Sequence, residues 1–406
     1  MNRRVVVTGL GAVSSLGIGA DALTAAIRAG QVGTGPITGF DTTGFPYVRA
    51  GEVRDFDPAA LLRRVTPQRW GRSSLLAAAA AVLAVRDAGL DRADQARLDR
   101  LRAGSVMGTT SGESQVVDRL AAEWVGGGLK SLDPDLVAQV PASQIAVAVN
   151  TELGLAGDAL TLSTACAASN YALGYGADLV RTGEADLMVC GGADSVNRYN
   201  HAGFYRLGAL TEEVCRPFDA ERQGILTAEG GVALVLEPYD RALARGARVY
   251  AEFLGYGLSC DAKHMVHPDA ASIAGCVRSA HRNAGITPAD VDYICAHGTG
   301  TPTNDVTEVA AVREVFGDRV PPISSIKSML GHTMGAASGF GALVCCRAIH
   351  DGFLPPTANL RAVDPALGPD LDCVPGTARP ADVRIAENHG FAFGGNNAIT
   401  ILGKVA

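Results

Sequence analysis

The sequence predicts an α/β fold assembled from two related halves, and three observations carry that prediction. Short β-rich runs alternate with helical stretches, the rhythm of strands covered by helices. Segments of the second half repeat segments of the first. The composition, 47% hydrophobic and only 19% charged with 49 Gly, suits a large packed core. A length of 406 residues allows two or three domains or one duplicated body, with roughly 75% of the unfolded surface buried on folding.

The elements follow in order. Arg4–Thr8 reads as a strand, Ala20–Ala29 as a helix, the Ala-rich Ser73–Ala88 as a buried helix, Ala103–Met107 as a strand and Glu113–Val125 as a helix. Strand Ala159–Thr164 leads into a helix from Cys166 to Thr182, on which Ala168, Ala172, Tyr175 and Leu179 recur at helical spacing. Asp186–Cys190 is strand again and completes a βαβ unit. A second series opens near Val249, where Val249 to Gly255 lies on Val5 to Gly11 at a shift of 244 residues. Ala167-Ala168-Ser169-Asn170-Tyr171 and Ala336-Ala337-Ser338-Gly339-Phe340 lie 169 apart, and Gly183 and Gly352 end the two helices at that same shift. Cys166 and Gly335 then open corresponding helices. Chance is the competing reading for matches this short. A duplication would place corresponding loops near a common pseudo-twofold axis, where a site can form between them.

Charge narrows the function classes. A net charge of −7 and only four lysines (Lys130, Lys263, Lys327, Lys404) make tracking of a nucleic-acid backbone a poor expectation, because such binding neutralises many phosphates. The most apolar run, Leu75–Val85, has 11 residues, against the roughly 20 that span a bilayer. The N-terminus lacks the apolar segment of a secretory signal. Nine cysteines, without CxxC spacing and mostly in apolar contexts, suit buried thiols in a reducing compartment, so a cytoplasmic protein is expected.

Gly9-Leu10-Gly11 follows a strand, yet Ser14 stands where a dinucleotide fingerprint needs its third Gly. Phosphate-loop, HExxH and GxSxG patterns are missing, Gly108-Thr109-Thr110-Ser111-Gly112 having the wrong spacing for the last. Cys166 sits between a strand and a small-residue helix, where unpaired N–H groups and the helix dipole favour an anion, so its thiol is expected to ionise more readily than a free one. His297 follows the strand-like Val291–Cys295 on a Gly/Thr loop, and His332 ends Lys327-Ser328-Met329-Leu330-Gly331. Strand-end loops of α/β folds converge on one crevice. In Asn388-His389-Gly390-Phe391-Ala392-Phe393-Gly394-Gly395-Asn396-Asn397 the paired glycines after an aromatic free the backbone to bend and donate N–H groups. Taken singly, a buried hydrophobic Cys, a His satisfying loop carbonyls and a plain tight turn also fit these segments.

Together, one Cys and two His on separate loops beside a Gly-rich aromatic loop resemble the thiolase-superfamily condensing enzymes, and more narrowly the β-ketoacyl-ACP synthases of the Cys-His-His kind. The resemblance runs through Val5-Val6-Val7-Thr8-Gly9-Leu10-Gly11, Thr164-Ala165-Cys166, Arg216-Pro217-Phe218-Asp219, His297-Gly298-Thr299-Gly300-Thr301, Lys327 to His332, and Phe393-Gly394-Gly395. It implies a thiolase-like duplicated five-layered α/β/α/β/α sandwich, with residues 1–248 carrying the nucleophilic Cys and 249–406 both catalytic His. It also implies a dimer, either a homodimer or a heterodimer with a chain-length factor. By resemblance Cys166 takes the acyl chain from an acyl carrier protein, and the oxyanion sits between the N–H groups of Cys166 and Phe393, with Gly394 in the gating loop. His297 and His332 then direct N–H donors at the enolate formed as malonyl carrier protein loses CO2. Lys327 is expected to support the histidines and Asp305, with Thr299 and Thr301, to brace their loop; no metal or redox cofactor is implied. Initiating synthases carry Asn at the place of His332, thiolases use a second Cys, and chain-length factors lack the nucleophile.

Departures from the family pattern matter too. Gly341 stands where the family commonly has a Glu joined to the Lys and His network, Asn396 replaces Thr, and Ala392 replaces a Gly of the gating loop. Ser111 falls where fatty-acid enzymes often place a bulky gate at the acyl pocket, which implies a different or longer tunnel. These changes favour a discrete ketosynthase of a specialised type II polyketide or polyene pathway over a fatty-acid elongating 3-oxoacyl-ACP synthase II; a non-catalytic chain-length-factor-like partner is the reading of another class. Carrier proteins are acidic, so Arg63, Arg64, Arg69 and Arg72 are the expected local basic face, a merely solvated face being the alternative.

Overall fold

The computed structural model describes residues 3–90 and 101–405. Ten strands form the framework: β1 (Val5–Ser14), β2 (Ala103–Gly108), β3 (Ala159–Leu162), β4 (Leu187–Asp194), β5 (Gly230–Pro238), β6 (Ala251–Cys260), β7 (Tyr293–Cys295), β8 (Ile323–Ser324), β9 (Ile385–Phe391) and β10 (Asn396–Gly403). Their spatial order is β8-β7-β9-β10-β6-β1-β5-β4-β2-β3. Each half therefore reads third, second, fourth, fifth, first, with its second strand parallel to the third and fourth and the remaining pairs antiparallel. The halves meet where β1 and β6 pair through Val6–Glu252 and Val7–Ala251.

Six helices position the site: α1 (Arg72–Asp87), α2 (Ala168–Thr182), α3 (Arg198–Arg206), α4 (Ala270–Ala284), α5 (Pro302–Phe316) and α6 (Ala337–Asp351). α1 covers β1, β5 and β4 from outside, and α4 covers β6 and β10, with α5 packed against α4. Between the sheet halves lie α2 and α6, each touching strands of both. The result is the five-layered α/β/α/β/α sandwich. Among the described residues no helix is long and apolar enough to cross a membrane.

Small residues set the layer spacing. Ala77–Ala81 of α1 are fully buried, and a Cβ on Gly11 would lie 1.9 Å from the Ala80 carbonyl oxygen. Gly9-Leu10-Gly11 thus serves helix–sheet contact. Gly255 and Gly257 do the same in the second half, where added Cβ atoms would meet Ala284 N at 2.7 Å and the Cys276 oxygen at 2.4 Å. These pairs align at a shift of 246, as do the extra residues in the two strand registers, Thr8 and Leu254. The shift of 244 read from residue identity is two too small. A slip of two keeps every side chain on its own face, so hydropathy cannot detect it.

Candidate active site

The shift of 169 holds in the backbone. Ala165 has φ 50° and Met334 φ 53°, left-handed values uncommon for non-Gly residues, each beside the short 3-10 turn that opens α2 or α6. Gly183 and Gly352 close the two helices in the αL conformation. Cys166 occupies the second position of the first turn, where the N–H has no acceptor within the helix. Its counterpart Gly335 has no room for a side chain, since a Cβ would sit 2.5 Å from the backbone of Thr109.

The second half contributes both histidines. The His297 loop leaves β7 with Gly298 at φ 39° and Gly300 at φ 75°. The carboxylate of Glu308 on α5 accepts the His297 and Gly298 N–H groups at 2.8 and 2.7 Å. Asp305 accepts from Gly300 N at 3.1 Å and Phe218 N at 2.8 Å, tying this loop to the Arg216–Asp219 segment. Thr299 and Thr301 hydroxyls lie 2.9 Å apart. Lys327 Nζ donates to the His297 carbonyl at 2.5 Å. His332 is fixed by main-chain bonds to Leu226 and Ala228, and its Nδ1 accepts the Met334 N–H at 3.0 Å. A neutral His332 therefore carries its proton on Nε2. The two imidazoles stand 5.6 Å apart, nearly perpendicular.

The aromatic loop closes the arrangement. Phe391 packs on His297, and Phe393 on Phe204 of α3, which also faces His332. Cys166, His297, His332, Thr299, Thr301 and Phe393 line one cavity, walled at one side by His264–Pro268. Lys327 and Asp305 stand behind this lining, both buried. Among the described residues no group of three or more His, Cys, Asp or Glu is placed to hold a metal ion.

Electrostatics are set by burial. Burial pushes the Cys166 thiol up to about 12, with Lys327 opposing. This corrects the expectation of an easily ionised thiol: desolvation of the thiolate outweighs the helix terminus. Burial, then Lys327 and the neighbouring histidines, holds His297 well below its ordinary value; burial and Lys327 do the same for His332. Both rings are neutral. Burial also lowers Lys327 and raises Asp305 to about 6.

Three further expectations change. Ser111 lies outside the cavity lining; Asp194 takes the Thr109 hydroxyl and the N–H groups of Thr110 and Ser111, and the Ser111 hydroxyl pairs with Asn200. Gly394 does not offer its N–H to the cavity, because that group donates to Met265 O at 2.7 Å and latches the loop. Arg72 is not a free surface cation: its guanidinium holds the buried Glu229 at 2.6 Å and the Val53 carbonyl. Arg63, Arg64 and Arg69 are exposed. At Gly341 a Cβ would lie 2.2 Å from Asn388 Oδ1, so Asn388 fills the space a longer side chain would need.

Sequence reasoning missed Asp194, Phe204, Glu308 and His389. Glu308 had a signal, lying four residues beyond Asn304 on one helix face. Asp194 and Phe204 are defined by partners remote in sequence, and His389 by remote Glu308 as well as by Glu387 two residues away.

Comparison with known proteins agrees with this geometry. Residues 2–242 match the model of the β-ketoacyl synthase N-terminal domain and residues 250–361 that of its C-terminal domain. The chain is 35% identical over 414 aligned residues to the 3-oxoacyl-[acyl-carrier-protein] synthase 2 of Coxiella burnetii, covering 99% of each. Among solved structures it resembles the ishigamide ketosynthase/chain length factor, with 48% identity, a TM-score of 0.97 and full coverage of both chains. It also resembles AntDE:AntF, a type II polyketide acyl-carrier protein in complex with its ketosynthase bound to the hexaketide, with 30% identity, a TM-score of 0.90 and full coverage of both chains. The chain belongs to the β-ketoacyl synthase family of the thiolase superfamily, the acyl-transferring condensing enzymes.

Proposed function

We propose that the protein catalyses decarboxylative condensation of malonyl carrier protein with an acyl chain held on Cys166. The observation that carries this reading is the convergence of one buried Cys and two neutral His on a single cavity. Residues 1–248 supply the nucleophile and 249–406 both histidines. Attack of Cys166 sulfur on the acyl thioester forms the new C–S bond as the carrier thiolate leaves. Since the thiol starts protonated, its proton moves during this step. The departing carrier sulfur takes that proton up, and His332 Nδ1, already an acceptor for Met334, does not carry it. The oxyanion sits between the N–H groups of Cys166 and Phe393.

In the second half-reaction the malonyl C–C bond breaks, CO2 leaves and its electron pair forms the enolate. N–H groups of His297 and His332 face the enolate oxygen, and losing one such donor typically costs about 3–4 kcal/mol of barrier. The carbanion displaces Cys166 sulfur, which takes a proton from solvent to restore the thiol, and the β-ketoacyl product leaves on the carrier.

We place this chemistry in a specialised type II pathway in the cytoplasm, with a chain-length-factor subunit as partner. The likeness to a ketosynthase/chain length factor structure supports that placement. Nine unpaired cysteines suit a reducing compartment. Condensation rates with saturated and polyunsaturated acyl carrier proteins test the pathway: faster turnover of the polyunsaturated chain is expected. Preference for saturated long chains overturns it in favour of fatty-acid elongation.

A further inference from the structure

Behind His297 runs a chain of four buried titratable side chains that the mechanism above does not use. Glu308 of α5, whose two oxygens hold the His297 and Gly298 N–H groups, also meets His389 Nδ1 at 2.9 Å. His389 Nε2 lies 2.6 Å from Glu387 Oε1, and Glu387 Oε2 lies 2.6 Å from His281 Nε2 on α4. His389 and Glu387 are two residues apart on β9 and share one face of the strand. Glu308, His389 and Glu387 have no exposed side-chain surface.

Both ring nitrogens of His389 face carboxylate oxygens, so both carry protons and the ring is an imidazolium. Such a bridge is costly to desolvate and costlier to break, because removing the cation leaves two buried carboxylates uncompensated. It lies behind the lining of the reaction cavity, one residue removed from a histidine of that lining.

We propose that His389 is a positioning residue for the condensation step: clamped between Glu387 and Glu308, it fixes the carboxylate that sets the backbone of His297 and hence the aim of the His297 ring. The charged and titratable groups facing His389 are Glu308 from α5, Glu387 from its own strand with His281 behind it, Cys295 at the end of β7, and His297. The two carboxylates raise His389 to about 9, and its positive charge adds to those that keep His297 neutral. The inference rests on the assignment of His297 to decarboxylation made above.

The test separates the two half-reactions in His389→Gln and Glu387→Gln. Acylation of Cys166 is followed by intact-protein mass spectrometry, and condensation by product formation across pH. Misplacing a reacting group by about 1 Å can cost on the order of 100-fold, and a fall of roughly 10-fold or more is expected in kcat for condensation by His389→Gln, with KM for malonyl carrier protein and the acylation rate essentially unchanged. Wild-type condensation loses rate above about pH 9 as His389 deprotonates. That alkaline limb disappears in His389→Gln and moves to lower pH in Glu387→Gln. Wild-type kcat and pH profile in both variants overturn the proposal. So does a parallel loss of acylation and condensation, which marks a packing role. A wild-type enzyme that acylates Cys166 yet never decarboxylates malonyl carrier protein instead removes the underlying reading of His297.

Discussion

Burial keeps the Cys166 thiol protonated and the two imidazoles neutral. A thiol raised to about 12 reacts slowly with stray electrophiles at neutral pH, because the thiolate is the reactive form. The rate of Cys166 alkylation by iodoacetamide should therefore climb with each pH unit from 7 to 10, followed by peptide mass spectrometry. A plateau below pH 8 would mean a low-pKa thiolate and contradict the account. The sequence signalled the position of this Cys but misjudged its acidity, because composition says that neighbours are small and cannot say how completely they exclude water. Likewise, Arg72 was grouped with Arg63, Arg64 and Arg69 by proximity in the chain, while its partner Glu229 lies 157 residues away.

At the scale of elements, the duplication explains how one chain builds two different walls. The small-residue matches 169 apart were legible because both helices must approach the sheets closely, and that constraint writes Ala, Ser and Gly into each. The first strands were misaligned by two residues, since a period-two pattern is blind to such a slip. What the identities could not give, the glycines do. Gly11 and Gly257 are predicted to be equivalent contact points, so Gly11→Ala and Gly257→Ala should each destabilise by about 1–3 kcal/mol or more, as overpacking against backbone does. Chemical denaturation measures this, and a wild-type midpoint for either variant would contradict the equivalence. The Glu308–His389–Glu387 bridge was not legible, because its three members come from α5 and β9 and only the fold brings them together.

At the scale of the molecule, the five layers place the nucleophile on one half and both histidines on the other, with α2 and α6 between them. The motif spacing announced these residues, and the resemblance they carried gave the layer count; the composition alone gave only a large α/β body. Arg63, Arg64 and Arg69 are exposed on a chain whose net charge is −7. The central claim is that the halves act in sequence on one Cys. Intact-protein mass spectrometry after exposure to acyl carrier protein, and again after adding malonyl carrier protein, tests it most directly. The account predicts a single acyl adduct on Cys166, absent from Cys166→Ala and discharged as β-ketoacyl product when malonyl carrier protein arrives. No adduct on Cys166, as for a non-catalytic partner subunit, or an adduct that malonyl carrier protein leaves in place, would contradict it.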